Sequence, residues 1–231
     1  MKDITAYWQT INIVSIILAP LSLFFCLLVF IRRQGYRLKF FKSTAFNIPV
    51  IVVGNIYIGG NGKTPFVIWL VKQLKKAGYK PAIVSRGYGA TGEKKSGIGW
   101  PRLVNSQDEQ SLFGDEPLII HQSTHCPVVI DPQRTRAVHK IVSETDCDVV
   151  ISDDGLQHYA MSRFIEINIS DAKRLYGNKL CLPAGPLREP VSRLKSVDFI
   201  VFNISRGTAV EVLPENSLSI VHNYYSVVHL F

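Results

Sequence analysis

The sequence predicts an α/β fold in which a largely parallel β-sheet is flanked by helices and preceded by an apolar N-terminal helix. Two observations predict it: an uncharged stretch near the N-terminus, and short β-branched runs that alternate with amphipathic helical patterns. Alternation of this kind favours right-handed crossovers between parallel strands. The expected strands cover residues 49–53, 81–85, 127–130, 148–152, 164–168, 197–203 and 219–221, and the expected helices cover 63–77, 115–122 and 133–144.

The first element is the stretch Ile11–Ile31, which contains no charged residue. As a helix it spans about 30 Å, the thickness of the hydrocarbon core of a bilayer. Tyr7 and Trp8 lie at one edge, where interfacial aromatic residues are expected. Pro20 allows a kink or a two-part interfacial hairpin, so spanning the bilayer and lying in one leaflet both stay open.

A basic flank follows this stretch and favours attachment to anionic lipid. By the positive-inside bias, the flank and everything after it lie on the cytoplasmic face. A cleaved signal peptide fits less well, because Lys2 is the one basic residue before the stretch and no small-residue cleavage site follows it. A buried core helix fits less well because the stretch is too long. The flank consists of Arg32, Arg33, Arg37, Lys39 and Lys42.

A glycine-rich loop joins the expected strand Pro49–Val53 to the next expected helix and ends in Gly62, Lys63 and Thr64. Strand, glycine-rich loop and helix form the context that a phosphate-binding P-loop requires. Lys63 can reach the β- and γ-phosphates, and the Thr64 hydroxyl can hold Mg²⁺. Tyr57 stands where the usual spacing has glycine, so the loop is a variant; the alternative is a glycine-rich turn that merely contains this tripeptide.

Two acidic pairs complement this loop. Asp153 and Asp154 end an apolar strand, where a P-loop protein needs a carboxylate for magnesium. Asp115 and Glu116 open a helix; Asp115 is a candidate for accepting a proton from a sugar hydroxyl, and Glu116 for assisting the metal. The alternatives are an ordinary Asp-Gly turn for the first pair and helix capping for the second.

Three arginines favour a phosphorylated substrate. Arg86 and Arg134 come just after expected strands, at the edge where open α/β sheets bind ligands. Arg188 lies in a stretch too proline-rich to be helical.

The composition excludes a disordered chain, since 47% of the 231 residues are hydrophobic and 19% are charged. A net charge of +8 predicts an anionic partner. Because the basic residues cluster beside the apolar stretch and no nucleic-acid module is recognisable, we expect a lipid surface and no nucleic acid. We interpret the cysteines, which form no C-x-x-C pair, as buried thiols of a reducing compartment; they are Cys26, Cys126, Cys147 and Cys181.

Six motifs occur in one order along the chain: GNIYIGGNGKTP, SRGYG, GDEP, DPQR, DDGLQH and PAGPLREP. This order resembles the tetraacyldisaccharide 4'-kinase family of Gram-negative bacteria, from the apolar segment to about Pro190. The resemblance implies transfer of phosphate from ATP, with Mg²⁺, to the 4'-hydroxyl of tetraacyldisaccharide 1-phosphate in lipid A biosynthesis. The partners it implies are this acylated glucosamine disaccharide phosphate lipid and the surface of the bacterial inner membrane, with no obligate protein partner. The catalytic domain is then on the cytoplasmic face.

The resemblance also assigns residues. It makes Asp115 the catalytic base and Lys63 the second catalytic residue. It assigns Thr64, Glu116, Asp153 and Asp154 to magnesium. The ATP-binding loop that it implies comprises Tyr57, Ile58, Gly59, Gly60, Asn61, Gly62, Lys63 and Thr64, and the substrate-binding residues are Asn55, Arg86, Arg134, Gln157, His158 and Arg188.

One departure concerns the C-terminus. The family continues into a further lobe with a histidine that pairs with the catalytic aspartate, whereas this chain stops at Phe231, and His222 and His229 match no such motif. We therefore expect a membrane anchor in residues 1–42 and a P-loop kinase domain in residues 43–231 that lacks the C-terminal lobe, as a fragment or as a truncated gene product.

Two other functions stay open. A membrane-tethered GTPase or nucleotide-dependent chaperone normally carries an N-K-x-D signature, whereas the Asn178-Lys179 pair is followed by Leu-Cys. A catalytically inactive remnant of a truncated kinase would bind ATP without transferring phosphate.

Overall fold

The computed structural model describes residues 7–59, 62–91, 97, 99–105, 110–204 and 218–221. The chain forms two compact units. The first unit comprises Met1–Lys42, Asn55–Gly62 and Ile167–Phe231, and the second comprises Ser43–Gly54 and Lys63–Glu166.

The helices and strands follow the predicted alternation. The helices are α1 (Ile13–Arg37), α2 (Lys63–Lys76), α3 (Asp115–Thr124) and α4 (Arg134–Glu144), with 3₁₀ turns at Gln110–Leu112 and Val191–Ser196. The strands are β1 (Val50–Gly54), β2 (Pro81–Ser85), β3 (Arg102–Leu103), β4 (Val128–Ile130), β5 (Val149–Asp153), β6 (Ile165–Asp171), β7 (Phe199–Ile204) and β8 (Leu218–Val221).

The second unit contains strands in the order β3-β4-β2-β5-β1, of which β4, β2, β5 and β1 are parallel. All residues of these four strands are buried. Burial on both faces is the reason that they appear in the sequence as continuous apolar runs rather than alternating ones. The predicted fold class, a largely parallel sheet flanked by helices, is confirmed.

The register of β1 and β5 pairs Val53 with Asp153. Parallel strands in register end together, so the start of the glycine-rich loop and the acidic pair lie at the same edge of this sheet. The short strand β3 pairs antiparallel with β4, Arg102 opposite Ile130. The expected strands do not include β3, so the sequence analysis missed this strand.

Helices α2 and α4 follow their apolar periodicity. In α2, Val67 and Val71 are fully buried one turn apart. In α4 the buried face contains Ala137, Val138 and Ile141, and the helix packs against β2 and β4. These helices cover the sheet on which the site is built.

In the first unit, α1 is a single helix. Asn12 caps its N-terminus, because its side chain accepts from Ser15 N while the Ser15 hydroxyl accepts from Asn12 N. The helix continues through Pro20, so the two-part hairpin is not formed. It is long and apolar enough to cross a membrane, with a mean hydropathy of 2.8 in its most apolar window. Only 11% of that window is buried, which does not fit a core helix.

The buried face of α1 is formed by small residues, among them Ser15, Ser22 and Gly35. The Ser22 hydroxyl donates to the carbonyl of Cys181 at 2.8 Å. Just before the helix, the indole of Trp8 donates to the carbonyl of Pro183 at 3.2 Å. The apolar side chains on the rest of the helix are exposed.

Strands β6, β7 and β8 of the first unit pair in parallel. All four cysteines are free. Cys126 and Cys181 are buried as expected, whereas Cys26 and Cys147 are only half-buried, so the interpretation of buried thiols was wrong for these two. Cys26 lies on a helix with little burial, and Cys147 precedes β5 in an exposed connection.

Candidate active site

The acidic pair lies at the carboxyl end of β5. Asp153 is the last residue of the strand and is 2% exposed, whereas the next residue, Asp154, turns the chain with φ of 47°. Lys63, the first residue of α2, places its Nζ 3.4 Å from Asp154 Oδ1. The side chains of this ion pair are 13% and 33% exposed, so Lys63 is a partly desolvated cation at the sheet edge.

Burial, and after it the negative charges of Asp154 and Glu116, raise the pKa of Asp153 to about 6. The positive charges of Lys63 and Arg134 oppose this shift. Asp153 Oδ1 is buried and has no hydrogen-bond partner among the described residues. A buried carboxylate oxygen without a donor is costly when ionised, and a cation would compensate it.

This arrangement fits a magnesium ion that is shared with a nucleotide. Within the described ranges, no group of three or more His, Cys, Asp and Glu side chains could cage a metal. Mg²⁺ in nucleotide sites is usually held by one or two carboxylates together with phosphates and water rather than by a protein cage. Asp153 would supply one such carboxylate, and Thr64 lies in the first turn of α2 next to Lys63.

Arg134 holds the backbone of the acidic turn through hydrogen bonds. It is 4% exposed, and its Nη2 donates to the carbonyls of Asp153 and Asp154 at 3.0 and 3.1 Å. The guanidinium of Arg134 thus contacts the turn and fixes the backbone of both aspartates. The sequence suggested Arg134 as a substrate contact; its burial and its partners indicate in addition a structural contact with the turn.

Asp115 and Glu116 begin α3 and border a cavity of about 500 Å³. Gly114 precedes them with φ of 81°, in a conformation that favours glycine. Gln110 Nε2 donates to Asp115 Oδ1 at 2.5 Å. Residues that line the cavity include Tyr88, Gln110, Ser111, Gly114, Asp115 and Glu116.

Gln110 and Ser111 were not predicted as site residues, because they belong to no recognisable motif. Arg102 fixes the turn that contains them, because its Nη1 donates to the carbonyls of Leu112 at 3.0 Å and Thr91 at 2.8 Å. Only the fold brings this turn to Asp115.

Gln157 and His158 lie in the turn that follows the acidic pair, and both are half-buried. His158 N donates to the carbonyl of Gly155 at 2.9 Å, and Arg163 Nη2 donates to the carbonyl of His158 at 2.7 Å. Both residues therefore lie in the turn that contains the acidic pair, whose backbone is held by hydrogen bonds from arginine side chains. Arg86 is exposed directly after β2.

The first half of the glycine-rich loop belongs to the first unit. Ile58 N donates to the carbonyl of Pro186 at 2.9 Å, and Arg188 N donates to the carbonyl of Ile56 at 2.7 Å. Asn55 is fully buried, and its Nδ2 donates to the carbonyl of Gly59 at 3.4 Å. The loop and the segment that contains Arg188 are therefore hydrogen-bonded to each other.

Tyr57 stands where the usual P-loop spacing has glycine. It is 3% exposed and packs as a core residue of this unit. Gly59 and Gly62 have φ of 117° and 78°, which glycine adopts readily. Gly60 and Asn61 of the predicted ATP-binding loop lie outside the described residues.

Comparison with known proteins shows what this chain is similar to. The LpxK family profile, described as tetraacyldisaccharide-1-P 4'-kinase, matches residues 14–228. A tetraacyldisaccharide 4'-kinase of Psychromonas ingrahamii is 51% identical over 187 residues, which are 81% of this chain and 57% of the relative. One of Histophilus somni is 41% identical over 223 residues, which are 93% of this chain and 66% of the relative.

A crystal structure of LpxK from Aquifex aeolicus, described as an "apo" form in complex with ATP, superposes with a TM-score of 0.74 at 29% identity. The match covers 90% of this chain and 64% of that one. The chain thus spans about three fifths of the length of the relatives that it matches.

Proposed function

The chain belongs to the tetraacyldisaccharide-1-P 4'-kinase family, and from this membership we propose that it transfers the γ-phosphate of ATP to the 4'-hydroxyl of tetraacyldisaccharide 1-phosphate in lipid A biosynthesis. The observation that carries the proposal is Lys63, held 3.4 Å from Asp154 beside the buried Asp153, whose Oδ1 has no hydrogen-bond partner among the described residues. A cation and two carboxylates at the end of parallel strands are suited to binding a nucleoside triphosphate and its metal ion.

The glycine-rich loop, residues 57–64, would bind the phosphates of ATP through backbone amides, and Lys63 would bind the β- and γ-phosphates. Thr64, Glu116, Asp153 and Asp154 would hold Mg²⁺, which when bound neutralises negative charge on the phosphates. Arg134 would keep the acidic turn in place through its contacts with the two backbone carbonyls.

Asp115 would accept the proton of the attacking sugar hydroxyl. Its exposure at a cavity of about 500 Å³ supports this role, because a sugar ring needs such a space next to the carboxylate. Gln110, which donates to Asp115 Oδ1, would hold the carboxylate in one orientation. Binding of the phosphorylated disaccharide would use Asn55, Arg86, Arg134, Gln157, His158 and Arg188.

The substrate lipid is acylated and remains in the bilayer, so the enzyme must act at the membrane surface. We propose that α1 anchors the chain in the bacterial inner membrane and that the basic flank keeps the catalytic residues on the cytoplasmic face. The exposed apolar side chains of α1 support this location.

The test is transfer of labelled γ-phosphate from ATP to tetraacyldisaccharide 1-phosphate in detergent, with the 231-residue chain. Lys63→Ala should abolish transfer, because the cation that binds the phosphates is lost. Lys72→Ala is the matched control, since Lys72 is an exposed lysine of the same helix. Asp115→Asn should lower turnover while ATP binding is retained.

Transfer that persists in Lys63→Ala would refute the site. ATP binding by the wild-type chain without transfer would favour the second candidate, an inactive remnant that binds the nucleotide without transferring phosphate. Use of GTP in preference to ATP would contradict the kinase assignment.

A further inference from the structure

The exposed apolar surface of the first unit does not end with α1. It continues into the segment Leu38–Lys42, which directly follows the helix. Leu38 is 63% exposed, Phe40 is 80% exposed and Phe41 is 47% exposed. We propose that Leu38–Lys42 is a second membrane contact, an aromatic and basic turn that enters the headgroup region of an anionic leaflet beside α1. The inference rests on the proposed membrane location of α1.

The turn is held by hydrogen bonds to the end of the helix. Leu38 N donates to the carbonyl of Gln34 at 2.8 Å, and Phe41 N donates to the carbonyl of Gly35 at 3.0 Å. Lys39 has φ of 64°, the left-handed conformation that reverses a chain after a helix. The segment is therefore a built helix terminus with defined positions for its side chains.

Packing of Phe41 strengthens the turn. Its ring lies over Gly35, where an added Cβ would collide with it, and it meets the ring of Tyr36 edge to face at 5.2 Å. Phe41 thus holds the turn against the helix and leaves Phe40 as the most exposed apolar side chain of the turn. A rigid turn that displays a large aromatic ring is typical of an interfacial anchor.

The charges around the turn indicate which surface it meets. Arg32, Arg37, Lys39 and Lys42 are all exposed. No Asp or Glu occurs in the sequence between Asp3 and Glu93. A second copy of this chain would bring the same cations against each other, whereas anionic lipid headgroups neutralise them. The charge complementarity therefore favours a lipid surface over self-association.

A photochemical experiment tests the contact in the full chain. Phe40 is replaced by the photoreactive residue benzoylphenylalanine, and the protein is reconstituted into vesicles of phosphatidylethanolamine and phosphatidylglycerol, irradiated, and analysed by mass spectrometry for lipid adducts. The same replacement is made at Leu23, which is 71% exposed on α1, and at Tyr79, which is 52% exposed in the second unit.

We expect lipid adducts at position 40 comparable to those at position 23, and none at position 79. In vesicles of phosphatidylcholine alone, the adduct at position 40 should decrease while the adduct at position 23 persists, because the basic side chains lose their anionic partners. Adducts at position 23 without any at position 40 would overturn the proposal. So would a cross-link from position 40 to a second copy of the chain, or an equal yield at position 40 in both lipid mixtures.

Failure of the contact and failure of the proposed kinase activity are distinguishable. The cross-linking does not depend on phosphate transfer, and transfer in detergent does not depend on the turn. Absence of lipid adducts at both positions 23 and 40 would overturn this proposal and the anchoring role of α1, and would leave the transfer assay as an independent result.

Discussion

We expect the buried carboxyl of Asp153 to lower the stability of the fold at neutral pH, although the proposed function requires this carboxyl. Its pKa is raised from 3.8 to about 6 because the fold removes it from water next to other acids. The native state therefore binds this proton more tightly than the unfolded state does. The stabilisation from the protonated form is fully present below about pH 4 and is lost as pH rises through about 6.

A shift of about two pH units corresponds to about 3 kcal/mol at 1.36 kcal/mol per unit. Asp153→Asn has the same shape and no charge, so it does not pay this cost at neutral pH. Its backbone carbonyl still accepts from Arg134 Nη2, because that contact does not use the side chain. We expect Asp153→Asn to be more stable than the wild type by up to about 3 kcal/mol at pH 7.5 and equally stable near pH 4.

The measurement is urea-induced unfolding in detergent without nucleotide or Mg²⁺, at several pH values between 4 and 7.5. The same variant should lose phosphate transfer, since the carboxylate proposed to hold the metal is removed. Asp146→Asn is the matched control, because the side chain of Asp146 is 84% exposed and pairs with Lys80 at the surface. A stability difference between Asp153→Asn and wild type that does not change with pH would refute the reasoning.

Three further predictions concern the surroundings of the site and the helix. Gly114→Ala should destabilise the fold by about 1–3 kcal/mol in thermal unfolding, because φ is 81° and an added Cβ would collide with the Tyr88 carbonyl; an unchanged melting temperature would contradict this. Arg134→Lys should weaken ATP–Mg²⁺ binding in calorimetry, since a lysine cannot reproduce the guanidinium contacts, whereas wild-type affinity would exclude a positioning role. Mild oxidation of the membrane-bound protein should link Cys26 to Cys181, because these two thiols are neighbours in the first unit, and non-reducing peptide mapping that finds both thiols free would contradict this prediction.

The sequence predicted the central strands and the three helices of the second unit well, and the reason is local. Strands such as β2 and β5 are buried on both faces, so every residue contributes to the apolar run. Helices α2 and α4 carry a clear apolar face, and α3 begins at the acidic pair that suggested a helix N-terminus. The same patterns placed Lys63 and Asp153 at the ends of elements that meet at one sheet edge.

Features that depend on distant contacts were not predictable in this way. Strand β3 consists of two residues and exists because it pairs with β4. The contacts of Arg134 with two backbone carbonyls leave no trace in residue type or spacing. Gln110 reaches Asp115 only because Arg102 holds the intervening turn. The assignments of individual site residues stay predictions that the experiments above would test.

The close approach of Gly54 and Leu156 bears on how this chain can diversify. A Cβ at Gly54 would lie 2.7 Å from Leu156 Cβ, so the end of β1 and the acidic turn are in direct contact with no room for a side chain. A substitution of Gly54 therefore disturbs both segments at once and needs a compensating change in the acidic turn. The cavity beside Asp115 is bordered instead by an exposed turn and by Tyr88, which is 84% exposed. Adaptation to a different acceptor can therefore proceed in that border while the groups proposed to bind phosphate stay unchanged.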